Sequence, residues 1–158
     1  MHKFFLTRSE CDVIQGADAI IKRFGGFPSM ENGCLRSIVI QAKDGKRRYR
    51  VELTFDISGW KRATKQYIAL KDNDDNLITM CFDGAIDLEI SSPSDYWDCG
   101  EMKFDNFHGS EKLNQDESPC TVLDYPRPYT RFYSAGHPGK LVIEFEESEC
   151  CISAWVNN

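Results

Sequence analysis

No stretch of this sequence approaches the roughly 20 consecutive apolar residues of a membrane-crossing helix. The opening "MHKFFLTRSE" also lacks the apolar core of about 7–15 residues and the small-residue cleavage site of a secretory leader. The expectation is a cytoplasmic protein with no membrane partner. Histidine is scarce: His2, His108 and His137 are the three, and none falls in an H-x-x-x-H or H-E-x-x-H pattern. The seven cysteines (Cys11, Cys34, Cys81, Cys99, Cys120, Cys150 and Cys151) are odd in number and scattered, without a C-x-x-C pair. That spacing argues against a disulfide framework or a zinc site and for reduced, packed thiols. "SAGHPGK" lacks the terminal Ser or Thr and the spacing of a phosphate loop. With no cofactor motif and no catalytic set, the chain is not expected to be an enzyme. A thiol paired in space with His108 or His137 is the one hydrolase alternative.

At 158 residues and 41% apolar composition, the chain reads as one domain over residues 1–158, large enough to bury a core. Its net charge of −6 is unevenly placed. Residues 1–82 hold 14 Lys and Arg against 10 Asp and Glu, and residues 83–158 hold 5 against 15. The acidic half disfavours nucleic acid and favours a basic partner.

Val13, Ile14, Ala17, Ile20, Ile21 and Phe24 recur at helical period, so one amphipathic helix is expected, started by Ser9 with Asp12 in its first turn. Lys22 and Arg23 suit its last turn, Gly25 its end, and Pro28 cannot extend it. The period then shifts to two. "CLRSIVIQA" and "YRVELTFDI" read as strands joined at Asp44-Gly45, with Tyr49, Val51, Leu53, Phe55 and Ile57 on the apolar side. "QYIAL", "LITMCF", "AIDLEIS", "EMKFDNF", "TRFYS", "KLVIEFEE" and "CCISAWV" follow as strands, with Ile86, Leu88 and Ile90 buried in "AIDLEIS". The fold class is therefore α+β: an N-terminal amphipathic helix packed on a largely antiparallel sheet of roughly eight short strands.

Three charged stretches compete as sites. "DNDDNLITMCFD" puts Asp72, Asp74, Asn76 and Asp83 at calcium-loop positions, but Leu77 stands where the loop needs glycine, so a solvated hairpin tip fits better. "KDGKRRYR" gathers Lys43, Lys46, Arg47, Arg48 and Arg50, and reads as a charged edge hairpin rather than a nucleic-acid ribbon. The acidic clusters are the better candidates. Asp95, Tyr96, Trp97, Asp98 and Glu101 ring two aromatics with carboxylates, and Glu144, Glu146, Glu147 and Glu149 cluster on and after one strand. Aromatics among carboxylates are the composition of a contact with a basic protein.

The order of "FGGFPSMENGCLRSIVI", a polar hairpin, "VELTFDI" and "LITMCFDGAIDLEI" resembles the immunity protein 50 family of bacterial polymorphic toxin and contact-dependent growth inhibition systems. Phe27, Pro28, Ser29 and Met30 match the family's junction, and Phe82, Gly84, Asp87, Leu88 and Glu89 its later motif. Glu31 and Asn32 stand where that family has His and Asp, and the resemblance covers residues 24–90. It implies a non-enzymatic domain that binds and neutralises a cognate toxin domain, of the basic nuclease type given this chain's acidity. The alternative is a small cytosolic binding or scaffold domain unrelated to toxins.

Overall fold

The computed structural model describes residues 4–43, 45, 47–91, 102–105, 130–135 and 140–157. They form helices α1 (Arg8–Cys11), α2 (Ala17–Phe24) and α3 (Ser58–Thr64). Nine strands accompany them: β1 (Ile14–Gln15), β2 (Cys34–Ala42), β3 (Tyr49–Asp56), β4 (Leu77–Ala85), β5 (Asp87–Ser91), β6 (Met102–Asp105), β7 (Thr130–Ala135), β8 (Lys140–Phe145) and β9 (Cys151–Val156). The α+β class holds, but the strands make two sheets rather than one. A five-stranded mixed sheet runs β1-β9-β4-β3-β2, and a four-stranded antiparallel sheet runs β5-β8-β7-β6.

The alternation of β3 sets the inner face of the first sheet: Val51, Leu53 and Phe55 are fully buried, and Ile78, Met80 and Phe82 of β4 continue that face. Ile152 and Ala154 of β9 extend it towards the N-terminal segment. The second sheet turns Leu141, Ile143 and Phe145 into the same core. Phe145 meets Phe82 at 5.7 Å between ring centroids and Phe104 at 6.3 Å, the latter edge-on at 81°. Each such side chain removed from water contributes about 1.5–3 kcal/mol. The chain passes between sheets just after Gly84, whose φ of +126° and close approach to the Glu149 carbonyl exclude a Cβ. The Ile86 N–H then donates to Glu144 O at 2.7 Å and starts β5 beside β8.

The expected N-terminal helix is corrected: it is broken in two. Thr7, not Ser9, caps the first turn; its hydroxyl accepts the Glu10 N–H at 3.2 Å, while its own N–H donates to Glu10 Oε1 at 2.9 Å. Asp12 lies at the end of that turn rather than in its start. Ile14 and Gln15 then extend to pair in parallel with Ile152 and Ser153. Gly16, at φ +88° against the Ala154 carbonyl, reverses the chain into α2. Ile14, Ala17, Ile20 and Phe24 are all buried, so the apolar spacing is real although the helix is interrupted. α2 ends as expected on Gly25, at φ +81° with its N–H on Ile21 O at 2.8 Å.

The junction after α2 is a structural knot. Phe27 and Met30 are buried; Leu6 N–H donates to Phe27 O and Ser29 N–H to Phe4 O, both at 2.9 Å. Met102 N–H reaches Ser29 O at 3.0 Å, and Phe104 N–H reaches Glu10 Oε2 at 3.2 Å, tying the junction and α1 to the second sheet.

Two further expectations are corrected. "QYIAL" is not a strand: it follows α3, which the sequence reading did not anticipate, and Tyr67 is 65% exposed. α3 forms because Ile57, Trp60, Lys61 and Thr64 are buried at helical spacing, and the Asp56 carboxylate receives the Ser58 N–H at 2.9 Å and the Ser58 hydroxyl. The Trp60 indole N–H donates to Phe4 O at 2.8 Å.

Candidate partner-binding surface

The outer face of the second sheet carries part of the acidic half. β5 and β8 pair with Asp87 opposite Glu144 and Glu89 opposite Val142, which places Asp87, Glu89 and Glu144 on the face turned away from Leu88 and Ile143. Asp87 and Glu89 are exposed, and Glu144 is half-buried. Three carboxylates from two neighbouring strands thus share one face, on which the register also sets Arg131 of β7 opposite Glu144 and Lys140 opposite Ser91.

The acidic residues expected from the sequence divide into four groups. Asp95, Tyr96, Trp97, Asp98 and Glu101 lie outside the described residues. Glu144 lies on the acidic face just described. Glu146 follows the end of β8, is half-buried, and meets Arg48 at 3.4 Å. Glu147 and Glu149 stand on a 3-10 turn (Glu147–Glu149), closed by the Glu149 N–H on Glu146 O at 3.0 Å, and Glu149 is exposed. Asp87 and Glu89 are the residues that sequence reasoning missed. The alternation of "AIDLEIS" already put them on the wet side; the β5–β8 register is what joins them to Glu144.

Three of the five cations of the basic hairpin are paired in place, and Lys46 lies outside the described residues. Lys43 meets Asp83 at 2.7 Å, Arg50 meets Glu52 at 2.8 Å and Asp83 at 3.6 Å, and Arg48 meets Glu146. Such internal pairing draws these three charges away from a phosphate-binding role.

The Asp- and Asn-rich stretch is not a hairpin tip. It links α3 to β4 and closes around the Lys61 ammonium. Nζ donates to Asn73 O at 2.7 Å, Asn73 Oδ1 and Asp75 O at 3.1 Å, and Asn76 Oδ1 at 3.2 Å. Burial, followed by the nearby Lys65 charge, pushes the Lys61 pKa below the ordinary 10.5, while Asp75, Asp74 and Asp72 oppose that shift. Of the calcium-loop positions only Asn76 faces this cation; the other oxygens come from Asn73 and Asp75. Among the described residues, no group of three or more His, Cys, Asp or Glu could hold a metal ion.

The thiols divide by burial. Cys11 and Cys81 are buried, Cys34 and Cys150 half-buried, and Cys151 exposed. Burial first, then the neighbouring Cys151, Asp83 and Cys81, push the Cys150 thiol up to about 12, and burial likewise raises Cys81. Both are protonated at neutral pH, the opposite of an activated nucleophile. His108 and His137 lie outside the described residues, and no described helix is long and apolar enough to cross a membrane.

Comparison of the chain with protein families, curated proteins and solved structures finds no match.

Proposed function

We propose that the chain is an immunity protein: a non-enzymatic, cytoplasmic domain that binds and neutralises a cognate toxin domain of basic, nuclease type. The observation that carries this reading is the outward face on which Asp87, Glu89 and Glu144 converge. It belongs to the half of the chain with 15 acidic against 5 basic residues. The resemblance of residues 24–90 to an immunity family supports the same reading. A carboxylate-rich face attracts a cationic partner before contact and raises its association rate, an effect that salt weakens. Glu149, on the turn beyond β8, extends the acidic surface, and the segment of Asp95, Tyr96, Trp97, Asp98 and Glu101 supplies aromatic anchors in this reading.

The test is co-expression of the tagged chain with the C-terminal domain of the protein encoded immediately upstream. A salt-sensitive complex that abolishes the neighbour's toxicity is expected. Asp87→Lys with Glu89→Lys should slow association by roughly tenfold or more at low salt while leaving the melting temperature within a few degrees. An unchanged on-rate removes this face from the interface, and a harmless neighbour that does not co-purify refutes the immunity reading.

A further inference from the structure

The first sheet ends on β2, and among the described residues no strand lies beyond it. Register and hydrogen bonding show which groups that edge presents. Lys43 N–H donates to Arg48 O at 3.0 Å, and the pairing continues Ala42↔Tyr49, Gln41↔Arg50, Ile40↔Val51, Val39↔Glu52 and Ile38↔Leu53. Bonded and non-bonded pairs alternate in an antiparallel ladder. Gln41 and Val39 therefore bond to β3, while the N–H and C=O of Ile38, Ile40 and Ala42 point outward.

Native edges are guarded by charge, proline or a bulge. β2 has no proline and no acidic residue. Its cation Arg36 is drawn to Asp56 at 3.2 Å, and Lys43, just past its end, is drawn to Asp83. The bulge lies between Leu35 and Ser37 and leaves Ile38–Ala42 regular. Val39 is 42% and Ile40 47% exposed, on opposite faces of the strand.

We propose that this edge pairs antiparallel with the same edge of a second copy, about a two-fold axis at Val39. The occupant follows from the match of the strand to itself. With the axis there, the outward-pointing groups of Ile38 bond to Ile40 of the second copy, and those of Ala42 reach Arg36. On one face Ile38 packs on Ile40; on the other Val39 meets its own symmetry mate and Ser37 faces Gln41. No like charges stand opposite one another, and the two exposed apolar side chains on both faces become covered. The result is one continuous ten-stranded sheet across two chains. Because each copy carries −6 overall while the edge itself holds no carboxylate, added salt strengthens this contact. That sign is opposite to the salt response expected for a basic partner, so the two proposals fail separately.

Sedimentation of the full chain from micromolar to several hundred micromolar tests it, with Val39→Lys, Val39→Glu and their equimolar mixture. The wild type should dimerise more tightly in salt. Each variant should dissociate at least ~100-fold more readily, because identical charges meet on the axis, and the mixture should re-associate as a heterodimer. A monomeric wild type, a dimer that survives Val39→Lys, or a mixture of folded variants that stays monomeric overturns the proposal. Amide exchange of wild-type Ile38 and Ile40 gives an independent reading if the variants misfold. Slower exchange at high concentration supports the pairing, and concentration-independent exchange refutes it.

Discussion

Replacing Lys61 by Met tests whether an ammonium organises the loop between α3 and β4. Methionine keeps a buried apolar stem but removes a cation bonded to four oxygens at 2.7–3.2 Å. Hydrogen bonds to a charged group contribute about 1.5–3 kcal/mol when their partners are buried. Here Asn73 and Asp75 are half-buried and Asn76 is exposed, so water recovers part of the loss. The expected cost is ~2–4 kcal/mol, a large fraction of the ~5–15 kcal/mol that holds a domain together. At this chain length that corresponds to a fall in Tm of roughly 5–15 °C. Urea unfolding followed by tryptophan fluorescence measures it, since Trp60 is fully buried on the same helix. A loss below ~0.5 kcal/mol would refute the cage as a stabilising element.

Two predictions concern titration and thiol chemistry. Burial alone would raise the Asp56 pKa, but the Ser58 hydroxyl and N–H and the Arg36 guanidinium outweigh it and hold the carboxylate below its ordinary 3.8. The folded state therefore binds the proton less readily than the unfolded state. The stabilisation is full above about pH 4 and is lost as pH falls through the depressed value. Asp56→Asn should be less stable than wild type at pH 6, with the gap closing in acid; a gap independent of pH contradicts the assignment. Alkylation at pH 8 mapped by mass spectrometry should modify Cys151 at least tenfold faster than Cys150, and equal rates would contradict the burial of Cys150.

The β2–β3–β4 meander was legible because its rules are local: period-two alternation, a β-hairpin turn signal at Asp44-Gly45, and apolar runs of strand length. The interruption of the first helix was not. Val13 and Ile14 fit helical spacing, and only the pairing of Ile14 and Gln15 with β9, about 140 residues away, draws β1 into extended form. Gly16 was the available signal, a glycine inside an apolar helical period. α3 was masked by the apolar look of "QYIAL", although Ile57, Trp60, Lys61 and Thr64 already carried helical spacing beside an Asp56-x-Ser58 start. Of the acidic candidates, composition named Glu144 and Glu149 without their places in the fold, one on a strand face and the other on a 3-10 turn. It could not distinguish them from Glu146, which is engaged by Arg48 from a distant hairpin, nor could it join Asp87 and Glu89 to them without the cross-strand register.

The parallel contact of β1 with β9 has a kinetic consequence. β9 is an interior strand, seated between β1 and β4, yet it lies far along the chain from both. Until residues 151–156 arrive, β4 has a vacant flank where Ile78, Met80 and Phe82 lack their β9 neighbours, and Ile14 has no strand to join. Closing a gap of that length carries most of its loop entropy before any reward. The β2–β3–β4 hairpins can assemble early, but completion of the first sheet waits for a late insertion. A nascent or truncated chain lacking β9 would present the long β4 as an open edge in addition to β2, and its risk of mispairing is greatest in that interval.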